Sequence, residues 1–189
     1  MLARERKIEV AVVDGDIATI EADALITAIN SSGAWFGGID GVIMRCAGLV
    51  FHEQASKAKL VDGRAIVVRS DTPHKGKFGD VVFVVDDLRL PLSDIVAAGL
   101  KAADKAGFKS VTLPAIRMGV AIGEVEKSAK EVVEEIVIGV NNVIEGFRNL
   151  ESVTFVVFND PQIETLLAAE FVAQHNSLGP RVIVYLWLV

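Results

Sequence analysis

A single cysteine, Cys46, stands in 189 residues, so the chain forms no disulfide with itself and carries no cysteine-based zinc cluster. Histidine is scarce as well. His52, His74 and His175 are far apart and outside any zinc-ligand spacing, so neither a metal nor a cofactor is expected. Positive charge is in the minority, with 19 Lys+Arg against 25 Asp+Glu and a formal net charge of -6. That leaves no cationic excess for counterion release and disfavours nucleic acid as a partner. No apolar run approaches the roughly 20 residues that a membrane-spanning helix needs. The longest, Val182 to Val189, has the length of a strand. The charged stretch Met1 to Lys7 leads into Glu9 and Asp14 rather than into a signal-peptide core. These absences predict a soluble, cytoplasmic protein that makes no membrane contact.

What is present is hydrophobic. Apolar residues make up 51% of the chain, charged residues 23%, and mean hydropathy is +0.44. Such a chain can bury enough surface to offset its ordering entropy, which excludes disorder. Strands are predicted at Ile8 to Val13, Ala24 to Ile29, Arg64 to Arg69, Val81 to Val85, Ser110 to Pro114 and Val153 to Phe158. Their apolar positions run continuously, as in strands covered on both faces. Helices are predicted at Asp40 to Lys59, at Ser93 to Ala106 with Ser93 as N-cap, at Glu124 to Ile144 and at Pro161 to His175. In the third, Val132, Val133, Ile136, Val137 and Val140 belong to one apolar stripe, with Glu126, Lys127 and Lys130 mostly outside it. The alternation predicts the α/β class: a three-layer α/β/α sandwich around a mixed, largely parallel sheet. Residues 1–175 are expected to form its body. Residues 176–189 are a C-terminal extension whose strand, Val182 to Val189, covers the chain's own sheet edge or pairs with a second copy.

Ligands of such sheets bind beyond the carboxyl ends of the strands. Three loops there have unusual composition. The first holds Gly15-Asp16-Ile17, and the second runs from Thr27-Ala28-Ile29-Asn30 to Gly37-Gly38-Ile39-Asp40-Gly41. The third is Pro114-Ala115-Ile116-Arg117-Met118-Gly119. With Cys46-Ala47-Gly48 and the strand Val153 to Asn159, their order and spacing resemble the macro domain family of ADP-ribose-binding modules over about residues 8 to 172. The resemblance implies that Asp16 and the backbone of Ile17 recognise adenine and that Phe158 stacks on it. It implies further that Gly37, Gly38, Ile39 and Gly119 cradle the diphosphate and that Asn30 binds the distal ribose. Glycine suits such loops because backbone N–H groups can approach an anion closely. In the hydrolytic branch, the residue matching Asp40 activates or positions water. A carboxylate can do this near an anomeric carbon, but aspartate is also favoured at helix N-caps. Asp16 could equally be a turn aspartate and Phe158 a core residue.

Departures from the family pattern gather on the ligand side. Thr27 replaces an asparagine, Trp35 and Phe36 replace glycines, Met44 replaces a histidine, and Arg117-Met118 replace a small Ser-Thr pair. Asp86-Asp87 stand where Gly-Pro usually ends a strand, without a functional account at the level of sequence. Either Arg117 contacts a phosphate, as its planar fork permits, or it joins a structural ion pair and the bulky side chains fill the cleft. Cys46, inside an apolar segment, reads as a small core residue. The resemblance implies binding of ADP-ribose or a related adenine nucleotide, free or carried on a protein or metabolite. The alternatives are hydrolysis, either removing ADP-ribose from proteins or metabolites or acting on ADP-ribose 1''-phosphate, with Asp40 and Asn30 in catalytic roles, and a degenerate interaction module.

Overall fold

The computed structural model describes residues 7–33, 38–118, 121–174 and 182–186. Its seven strands are β1 (Ile8–Asp14), β2 (Ala22–Ile29), β3 (Ala65–Val68), β4 (Phe78–Val85), β5 (Ser110–Pro114), β6 (Ser152–Val157) and β7 (Val182–Leu186). They form one sheet in the order β3-β4-β2-β5-β6-β1-β7. Every neighbouring pair is parallel except β3 with β4. This is the mixed, largely parallel sheet expected. β7 runs parallel to β1 in the chain's own sheet, with Val10 opposite Val184.

The helices are α1 (Ile39–Ala47), α2 (Val50–Ala55), α3 (Leu92–Lys105), α4 (Ala129–Ile144) and α5 (Pro161–Ala173). Strand alternation sends side chains to two faces. Ala24, Ile26, Val82, Val84, Val153 and Phe155 pack with α3, α4 and α5. Leu25, Ile29, Val81, Phe83 and Val85 pack with Ile43 of α1 and with Phe51 and Ala55 of α2. The result is the three-layer sandwich, and the double burial explains why these strands read as unbroken apolar runs.

Three helix boundaries differ from the sequence reading. The segment from Asp40 to Lys59 is two helices, because Gly48 ends α1 at φ 65° and turns the chain into α2. That conformation suits glycine and stops helix propagation. In α3, Pro91 rather than Ser93 is the N-cap, and the buried Ser93 donates its backbone N–H to Glu135 across the α3–α4 contact. α4 begins five residues later than expected, at Ala129, because Ser128 caps it by accepting from the Glu131 N–H. Glu126 therefore lies outside the helix, and it is buried rather than solvated.

Helices α3 and α4 approach closely at Gly139, where an added Cβ would stand 2.6 Å from the Ser93 carbonyl oxygen and 2.9 Å from Val96 Cβ. Alanine at 139 is expected to cost about 1–2 kcal/mol net, since overpacking outweighs its better helix propensity. A urea unfolding midpoint at or above that of the parent would contradict this packing. Among the described residues no helix is long and apolar enough to cross a membrane.

Candidate functional site

At the carboxyl edge of the sheet, the loops after β2, β4 and β5 enclose a cleft of about 860 Å³. This lies within the range of about 300–1,000 Å³ common to small-molecule sites. Its lining includes Thr27, Asn30, Gly38, Ile39, Asp40, Asp86, Asp87, Arg117 and Met118. Met118 also packs against the core, so it shapes the wall while the cleft stays open between the described residues. Of the non-glycine residues described, those with positive φ are Leu88, Arg117 and Asn159. They stand just beyond β4, β5 and β6, respectively. Backbone strain concentrated in this way is characteristic of functional edges.

Asn30 opens a turn in which its carbonyl accepts from the Gly33 N–H and its Oδ1 accepts from the Ser32 hydroxyl at 2.7 Å. Across the turn, the Ser31 N–H donates to Asp87 Oδ1 at 2.8 Å. The Ser31 hydrogen bonds, backbone first and then side chain, hold the Asp87 carboxyl below its ordinary pKa, with a smaller contribution from Arg89. Asp87 is therefore an anion at the shoulder of Asn30.

Gly38 is the N-cap of α1 at φ 56° and ψ -122°, a conformation that favours glycine although a Cβ there would meet nothing within 4 Å. Asp40 is thus the second residue of the helix and not its cap. Its side chain is buried, and Oδ1 has no hydrogen-bond partner among the described residues. The Nε2 atom of His52, also buried, lies 3.7 Å from that oxygen. This histidine comes from α2, and no spacing in the sequence signals the pair, because it forms only when the chain folds back at Gly48.

Arg117 is held by protein groups. Its Nε and one terminal nitrogen form a fork on Asp86, at 2.9 and 2.8 Å. The other terminal nitrogen donates to Glu126 Oε1 at 2.7 Å, and the Leu90 carbonyl accepts a further bond at 2.8 Å. Four of its five N–H groups are thus engaged by protein. Burial works to lower the Arg117 pKa, but hydrogen bonds to Asp86 and Glu126 outweigh it, and the guanidinium stays charged. Arg117 thus forms the structural ion pair that one of the two sequence readings allowed, as the centre of a buried triad. β2 lies between β4 and β5 in the sheet, so the triad ties together the loops flanking Asn30. The signal for it was the pair of departures of opposite charge, aspartate for glycine at 86 and arginine for serine at 117.

Asp16, Ile17 and Phe158 are not part of the cleft lining; they follow β1 and β6 at the same edge of the sheet. Asp16 caps a short 3-10 turn (Ile17–Thr19) by accepting from the Ala18 N–H at 3.0 Å. Ile17 buries its side chain. Phe158 is 67% exposed at the end of β6, so it is not a core residue. The loops holding Asp16 and Phe158 are neighbours: the Gly15 N–H donates to the Val157 carbonyl, and the Asn159 N–H donates to Asp14. Met44 is exposed on α1. Gly37 and Gly119, together with Trp35 and Phe36, lie outside the described residues.

Fold and site define an α/β/α protein with a ligand cleft at the carboxyl edge of a parallel sheet. A Klebsiella pneumoniae O-acetyl-ADP-ribose deacetylase is 30% identical over 159 residues, which cover 79% of this chain and 89% of that protein. A Streptomyces coelicolor macro domain-containing protein is 28% identical over 170 residues, covering 84% and 96%. The Trypanosoma brucei macrodomain solved in complex with ADP-ribose superposes with a TM-score of 0.70 at 18% identity, over 84% of this chain and 67% of that one. No protein-family profile matches the chain. The chain belongs to the macro domain family.

Proposed function

We propose that this chain binds ADP-ribose in the cleft, with adenine between Asp16 and Phe158 and the distal ribose at Asn30. The observation that carries the reading is the exposed aromatic ring of Phe158 on the loop next to Asp16, at the same sheet edge as the cleft that contains Asn30, Gly38 and Asp40. An aspartate can accept from the adenine amine, and an exposed ring offers a stacking face. Toward the diphosphate, Gly38 and the start of α1 present backbone N–H groups and the positive helix end. Solved relatives bound to ADP and to ADP-ribose support the assignment. Calorimetry with ADP-ribose, ADP, AMP and NAD tests it. Phe158→Ala is expected to weaken ADP-ribose by about tenfold, since base stacking contributes about 1–3 kcal/mol. Silence from all four nucleotides at millimolar concentration would end the reading.

Asp40 favours a second, hydrolytic reading, in keeping with relatives of 30–32% identity named O-acetyl-ADP-ribose deacetylase. In this reading the Asp40 carboxylate takes a proton from water while the water oxygen bonds to the ester carbon on the distal ribose. The bond from the acyl carbon to the ribose oxygen then breaks, the proton held by Asp40 passes to that oxygen to restore the ribose hydroxyl, and the acyl group leaves as the free acid. Asn30 orients the sugar, because an amide both donates to and accepts from hydroxyls.

A further inference from the structure

The charge on the cleft wall is out of keeping with an anionic group at its inner end. Asp40, Asp86, Asp87 and Glu124 line it, against Arg89 and Arg117. The Arg117 charge is already shared by two carboxylates, because Glu126 approaches from behind while Asp86 takes the fork. Arg89 is largely in solvent, with its nearest guanidinium nitrogen 4.0 Å from Asp87. Asp87 itself is fixed on the Ser31 N–H, one residue from Asn30. Asp40 adds a buried carboxylate with an oxygen that no described residue hydrogen-bonds. The wall beside Asn30 therefore offers acceptors for hydroxyl groups and repulsion for anions.

We infer that the inner end of the cleft admits an ADP-ribose whose distal ribose is free or carries an uncharged ester, and rejects a phosphate monoester at that ribose. This rests on the ADP-ribose reading above, and it assigns Asp87 as the residue that sets the discrimination. A ribose hydroxyl can donate to Asp87 or Asp40. A phosphate dianion at the same place meets like charge on partly enclosed carboxylates, where solvent screens poorly. Repulsion of this kind separates ligands that share every other contact. The diphosphate is read onto Gly38, where the backbone N–H groups and positive end of α1 offset the charge of Asp40.

The test is competition calorimetry with ADP-ribose and ADP-ribose 1''-phosphate, on the parent and on Asp87→Asn, whose side chain retains the oxygen that accepts from Ser31. The parent is expected to bind the phosphate derivative at least about tenfold more weakly, a difference of about 1.4 kcal/mol. The gap should narrow about threefold or more in Asp87→Asn, and also as salt rises from ~0.02 to ~0.2 M. Equal or tighter binding of the phosphate derivative by the parent would overturn the inference and leave the ADP-ribose reading standing. A gap unchanged in Asp87→Asn would remove Asp87 as its source. Failure of ADP-ribose itself to bind would overturn the underlying reading and the inference with it.

Discussion

Replacing Arg117 by alanine is expected to destabilise the fold by about 3–5 kcal/mol, the range for removing one member of a buried ion pair. The loss should appear as a fall in melting temperature on the order of 10 °C for a domain of this size. The cause is what the substitution leaves behind. Asp86 and Glu126 have side chains 4% and 5% exposed, and without Arg117 they are buried carboxylates with no counterion. The Leu90 carbonyl loses its donor as well. Removing both charges of the main pair is a different experiment. Asp86→Gly with Arg117→Ser restores the residue types usual in the family, and it should cost less than the two single changes added together. Additive costs would show that Asp86 and Arg117 do not act as a unit. A stability change below about 1 kcal/mol in Arg117→Ala, the scale of an exposed pair, would contradict the buried triad.

Asp40→Ala has the largest expected effect on activity. If Asp40 is the general base, turnover of an ester on the distal ribose should fall by about 10²–10⁴-fold, the usual contribution of such a group. The dissociation constant for ADP-ribose should stay within about tenfold of the parent, because the proposed adenine and diphosphate contacts lie elsewhere. Stability should move little. Asp40 does not cap α1, and its place in the first helical turn contributes only about 0.3–1 kcal/mol through the helix dipole. Against that, its buried Oδ1 has no hydrogen-bond partner among the described residues and only the His52 ring at 3.7 Å, so removing the carboxylate also removes an electrostatic cost. A group that contributes little to stability yet stays buried beside a cleft suits a functional role better than a structural one. Release of label from an ADP-ribosylated protein, or of acid from an O-acyl ester of ADP-ribose, measures the turnover. Equal rates for the parent and Asp40→Ala would remove Asp40 from the mechanism.

Much of the architecture was legible along the chain, because apolar runs of strand length alternating with helix-length segments have few other solutions. Where the reading failed, a local pattern met a tertiary competitor. A continuous helix from Asp40 to Lys59 looked sound until Gly48 adopted positive φ. Glu126 looked like the polar side of a helix, but Ser128 starts that helix later and Arg117 draws Glu126 inward. Phe158 and Arg117 could each be read two ways. Exposure takes Phe158 out of the core, and four hydrogen bonds place Arg117 in an ion triad.

The sequence by itself determined the layers, the edge of the sheet that bears the ligand loops, and the motifs that mark the family. These follow from periodicity, glycine placement and residue order, which are properties of neighbouring residues. Only the tertiary structure decided how the departures from the family pattern combine. Asp86 and Arg117 are 31 residues apart and follow strands separated by β2, and His52 meets Asp40 across a helix break. The charge on a cleft wall depends on which carboxylates have found a cation. That pairing is made in space, after the chain has closed, and no local pattern encodes it.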